Sequence, residues 1–169
     1  MITHAGLGNS PWTVLAEGVS LNSALSIGAA TVVISFLVLL AWIPLRQRIG
    51  LGTLANAVVV GVALDVTLGW VPDTQSLVVR GAEVLVGIGC VGLGSGLYIN
   101  AALGPGPRDG LMTGLNRVTG HPIAVVRTAI ELCALTAGFL LGGTVGVGTL
   151  TFALLVGPAV AAGLRALPP

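Results

Sequence analysis

Five ionisable side chains interrupt otherwise apolar runs of this chain: Asp65, Arg80, Glu83, Arg127 and Glu131. Arg127 and Glu131 stand four residues apart, so on a helix they share one face and can pair. Asp65 has no oppositely charged neighbour in sequence, and a bond across helices to Arg127 is the economical expectation. Such groups serve either a structural ion-pair network that fixes helix rotation or a site for a solute or proton. Arg80 and Glu83 lie near the end of their run, where their stems can reach toward an aqueous interface.

Two turns rich in glycine and proline add a second kind of chemistry. Gly6-Leu-Gly-Asn-Ser-Pro11 and Gly104-Pro-Gly-Pro107 each precede about three turns of helix, over residues 10–20 and 106–118. Proline just inside a helix start is a standard entry signal, because its missing N–H would be unpaired there anyway. Both helices are too short to span a bilayer and read as half-helices that dip in and return. Entering from opposite faces, they would aim two N-termini at the midplane. Unpaired N–H groups and a partial positive charge there suit an anionic or carbonyl-bearing solute. Pro11, Trp12, Thr13, Pro107, Arg108 and Asp109 therefore join Asp65, Arg127 and Glu131 as the candidate solute-binding set. The alternative is an interfacial amphipathic helix on each face, with Arg108 and Arg117 at headgroups.

The surrounding chain decides what can hold these residues. Of 169 residues 54% are hydrophobic and 8% charged, against roughly 25% charged in soluble domains. The mean hydropathy is +1.02. So little charge could not cover a water-facing surface. Lysine is absent, and a net charge of +1 gives no field for nucleic acid. Five runs are long and apolar enough to cross a bilayer: 22–45, 53–71, 78–102, 122–141 and 149–164. Backbone groups in lipid must be satisfied internally, so helix is the conformation for each. The expected fold is an all-α, polytopic membrane bundle of about five spanning helices plus two short half-helices, forming a single domain over residues 1–169.

That bundle is written twice. A shift of 96 positions lays Gly8 on Gly104, Pro11 on Pro107, Gly18 on Gly114, Ile27 on Ile123 and Ile34 on Ile130. It then lays Gly50-Leu-Gly-Thr-Leu54 on Gly146-Val-Gly-Thr-Leu150, and Gly61 on Gly157. The copies occupy about 1–72 and 78–169. Arg46 and Arg48 mark their loop as cytoplasmic, while its counterpart, Gly142 to Thr144, carries no charge. The copies are therefore expected to be inverted about an axis in the membrane plane. Met1 aligns with Leu97, so the first copy lacks a counterpart for residues 78–96, and its first helix is expected to lie upstream or to be lost.

The strings Gly104-Pro-Gly-Pro-Arg-Asp-Gly-Leu111, Gly6-Leu-Gly-Asn-Ser-Pro-Trp12 and Gly50-Leu-Gly-Thr-Leu54 resemble the bacterial YczE/YyaS/YitT group of integral membrane proteins. The similarity covers nearly the whole chain. It implies a location in the plasma (inner) membrane, a further N-terminal helix and no particular activity. In that family the residue after Pro-Trp is commonly acidic; here it is Thr13, while the second copy keeps Asp109.

No Ser/His/Asp set, H-E-x-x-H, P-loop or metal cluster is present, so neither enzyme activity nor a cofactor is expected. His4 and His121 are isolated in turn regions, and Cys90 and Cys133 lie in apolar runs as small hydrophobes. Gly87-Ile-Gly-Cys-Val-Gly92 matches a dinucleotide fingerprint in pattern, but it sits inside a span with no βαβ unit, so it reads as a small face for helix packing. The leading expectation is a small-solute transporter or channel with its site between the half-helices. The runner-up is a non-transporting membrane scaffold that acts on a partner through its glycine-rich faces. The expected partners are the lipid bilayer, a small solute and a second copy of the chain; nucleic acid is excluded.

Overall fold

The computed structural model describes residues 8–70, 76–100 and 103–166. Among the described residues the elements are seven α-helices and no strand: α1 (Pro11–Leu21), α2 (Ile27–Leu45), α3 (Leu51–Trp70), α4 (Leu77–Asn100), α5 (Pro107–Thr119), α6 (Ile123–Leu140) and α7 (Val147–Ala166). Five long helices and two short ones stand where the hydropathy and the prolines put them. α2 starts later than its apolar run because Ser26 caps it, accepting a hydrogen bond from the Ala29 N–H at 3.0 Å. His4 and the loop holding Asp73 lie outside the described residues.

Stretches of 18 or 19 residues in α2, α3 and α4 reach mean hydropathies of 2.3, 1.8 and 1.7, enough to cross a membrane. Their large apolar side chains point outward: Leu37, Leu40 and Ile43 on α2, Val59 and Val62 on α3, Leu85 and Val86 on α4 are all exposed. In water such a surface would aggregate, whereas in lipid it is the solvated one. The molecule is an all-α integral membrane protein.

The half-helices are packed into protein. α1 buries Pro11, Trp12, Val14, Ala16 and Gly18, and Trp12 and Ala16 join Ala30, Ile34 and Ala134 in the main core cluster. α1 lies chiefly against α6, and α5 chiefly against α2, so each short helix is held by the long helix that follows the other short one. Glycine explains how close they come. A side chain at Gly138 of α6 would strike the α1 backbone at Val14 and Leu15, so the two helices meet almost backbone to backbone. In the counterpart contact the sizes are reversed. The Trp42 ring of α2 occupies the space beside Gly110 of α5, and its indole N–H donates to the Pro107 carbonyl at 3.0 Å. Val14 and Gly110 are counterparts under the 96-residue shift, as are Trp42 and Gly138.

The repeated G-x-G-T-L strings have a structural reason. Gly8 and Gly104 adopt φ of 100° and 113°, open only to glycine at low cost, to turn the chain into each half-helix. Gly8 packs on Gly146 and Thr149, and Gly104 packs on Gly50 and Thr53. The buried threonine hydroxyls accept from the N–H of Gly50 and Gly146 at 3.3 and 3.2 Å, which caps α3 and α7. Thr53 also donates to the Pro105 carbonyl at 2.8 Å. Each string thus seats the half-helix entrance of the opposite copy.

Candidate functional site

A cavity of about 660 Å³ opens between the N-terminal ends of α1 and α5. Its lining obeys the repeat. From the half-helices come Ser10 with Gly106, Trp12 with Arg108, and Thr13 with Asp109, each pair 96 residues apart. The first long helix of each copy adds Thr31 with Arg127 and Ser35 with Glu131; the second adds Asn56 with Phe152 and Val60 with Val156. Its walls therefore draw on positions 96 residues apart in the chain. α4 supplies a further wall through Gly87, Val91, Gly94 and Ser95, so the glycines of its rejected nucleotide motif leave room beside the cavity.

Of the nine candidate residues, Trp12, Thr13, Pro107, Arg108, Asp109, Arg127 and Glu131 line this cavity. Pro11 does not: as the first helical residue it is buried one step behind Trp12. Asp65 is elsewhere altogether. Its carboxylate accepts from the Ser26 hydroxyl at 2.5 Å and from the Gly28 N–H at 2.7 Å, at the start of α2. The expected bond to Arg127 is replaced by a helix cap. A carboxylate that accepts from a hydroxyl and a backbone N–H at the positive end of a helix dipole is well solvated without any cation.

The polar groups around the cavity differ in how much of their capacity is already used. Ser10 accepts from the Thr13 N–H at 3.4 Å and shares a 2.7 Å bond with the Thr13 hydroxyl. Thr31 and Ser35 donate to the carbonyls of Ile27 and Thr31, one turn back on α2, at 2.8 Å each. The Arg108 guanidinium sits over the Trp12 ring, 4.7 Å from its centroid, a cation–π stack that fixes the plane of the indole. Glu131 feels the charges of Arg108 and Arg127 and lies near the Trp12 indole. The indole N–H nevertheless has no hydrogen-bond partner in the protein at normal geometry.

Two polar anchors escaped the sequence reading. Glu17 on α1 accepts from Asn9 Nδ2 at 2.7 Å, and from the Thr144 N–H and hydroxyl at 2.8 Å each, tying the half-helix to the loop before α7. An acidic residue in an apolar half-helix was the available signal; its counterpart, Thr113, shows no such role. Arg117 donates to the carbonyls of Leu45 and Arg46 and so closes the C-terminus of α2. At the equivalent end of α6, Asn22 donates to the Leu141 carbonyl at 2.8 Å. Arg117 is thus a helix cap in this structure.

The fold and its lined cavity define a class: a small α-helical membrane protein with two short helices packed among longer ones. Residues 1–164 match the family of unknown function DUF6198, and the chain belongs to that family. Among curated proteins it is 42% identical over 160 residues to an uncharacterized protein of Haemophilus influenzae, covering 95% of this chain and 73% of that one. It is 32% identical to the uncharacterized membrane protein YczE of Bacillus subtilis, covering 92% of this chain and 73% of YczE. Its identity to YyaS of the same organism is 29%, over 91% of this chain and 79% of YyaS. No solved structure matches.

Proposed function

We propose that the protein moves a small solute across the plasma membrane, with its site in the cavity between α1 and α5. One observation carries the reading: seven pairs of residues 96 positions apart converge on one cavity whose apolar walls carry four charged side chains and several hydroxyls. Inverted-repeat transporters build their sites in this manner, from interrupted helices whose N-termini face the substrate. The burial of α1 and α5 favours re-entrant half-helices over helices lying at the headgroups.

Inversion follows from counting crossings. Between the starts of α2 and α6 the chain crosses three times, through α2, α3 and α4, while α5 dips and returns. An odd number of crossings makes α6 run opposite to α2. Under this topology Arg48 and Val145, which are both exposed, lie on opposite sides of the membrane. Single cysteines at these positions, in a chain with Cys90 and Cys133 replaced by serine, should label from opposite faces of sealed vesicles. Labelling from one face would end the inverted reading.

Transport itself is tested in proteoliposomes. Arg127→Gln and Glu131→Gln are expected to abolish uptake while leaving membrane insertion and the melting temperature within a few degrees of the parent. Loss of folding in both variants, with uptake intact in the surviving fraction, would return these residues to a structural role.

A further inference from the structure

We propose that the cavity selects a small uncharged solute bearing an amide-type group, whose acceptor meets the Trp12 indole N–H and whose donor meets the Glu131 carboxylate. This rests on the solute-site reading above and narrows it from anionic or carbonyl-bearing solutes to neutral ones.

Four hydroxyls of the cavity wall are already hydrogen-bonded within the protein. The hydroxyls of Thr31 and Ser35 spend their single protons on their own helix, and those of Ser10 and Thr13 bond each other. Trp12 is different. Only 6% of it is exposed, it lines the cavity, and its N–H makes no hydrogen bond of normal geometry, although the Glu131 carboxylate is near. A buried indole N–H without a partner is costly, and side chains of this type normally find one when buried. Arg108 stacked over the ring favours the indole orientation seen. Beside it stands Glu131, which when ionised can only accept. A donor and an acceptor set side by side are satisfied together by a ligand that offers the complementary pair, as a primary amide does.

Charge argues the same way. Arg108 and Arg127 are matched on the cavity wall by Asp109 and Glu131, so the lining carries no net charge. An anion reaching Trp12 would meet the Glu131 carboxylate at close range, and like charges in a weakly hydrated space repel strongly. An uncharged amide meets no such barrier.

The test is nuclear magnetic resonance of the three indole N–H groups in protein labelled with 15N-tryptophan and held in nanodiscs. Acetamide should shift the Trp12 resonance downfield saturably and leave Trp42, already bonded to Pro107, in place. Trp12→Phe assigns the resonance, and Glu131→Gln should weaken acetamide binding about tenfold, the scale of one hydrogen bond to a charged group. Acetate and phosphate should produce no saturable shift. The proposal is overturned if acetamide leaves Trp12 unmoved, if acetate or phosphate binds more tightly, or if Glu131→Gln binds acetamide like the parent. A saturable acetamide shift without acetamide uptake into proteoliposomes would support the recognition and overturn transport. Uptake of an anion with no response to acetamide would do the reverse.

Discussion

In the first copy α3 lies against α2 through Gly28 and Gly61, each of which would drive a side chain into the other helix. Ser26 and Asp65 close the contact by capping α2 from both helices. In the second copy Pro122 stands in place of Ser26, Ala161 in place of Asp65, and the start of α6 has no side-chain cap. There α7 turns to α4: among the described residues it packs on that helix, through Phe152 and Ala159 against Val84 and Ile88, and scarcely touches α6. Gly157, the counterpart of Gly61, has open space where a side chain would go. The same helical pair is clamped once and released once, and the clamp is a close glycine contact with one carboxylate and one hydroxyl beside it. In lipid, where helix surfaces gain little from hydrophobicity, close glycine contacts and interhelical hydrogen bonds are the forces available to hold two helices together.

Substitutions can break this contrast in order of size. Gly61→Val should lower stability by roughly 3 kcal/mol through overpacking against Gly28 and Val32, read by denaturant unfolding in micelles. Gly157→Val should change it by less than about 0.5 kcal/mol, and equal costs at the two glycines would erase the distinction. Asp65→Asn should cost about 2 kcal/mol by weakening the hydrogen bonds of a charged acceptor, with acetamide binding per folded molecule unchanged. A fully stable Asp65→Asn that no longer binds would instead place this residue at the site. Ser26→Ala is the mildest, at about 1 kcal/mol, the usual worth of an N-cap.

The helices were legible because bilayer crossing demands long apolar runs, and the half-helices because glycine and proline punctuate them. Arg127 and Glu131 were legible as neighbours because helical spacing alone places them on one face, and both line the cavity. Asp65 was not, since its partners are a hydroxyl and a backbone N–H 39 and 37 residues away, brought near by a helix crossing that hydropathy does not encode. Glu17 was hidden for a related reason: its acceptor role toward Thr144 spans 127 residues. The unsatisfied indole of Trp12 follows only from the assembled walls around it.

The reversed sizes at Trp42–Gly110 and Val14–Gly138 have an evolutionary consequence. A chain carrying two identical first halves would set tryptophan against valine in both contacts and overfill them, and one with two identical second halves would leave glycine facing glycine in both. The halves are complementary parts, fitted to each other and no longer exchangeable. Making either one match the other requires at least two simultaneous changes, so no single substitution leads from one fit to the other.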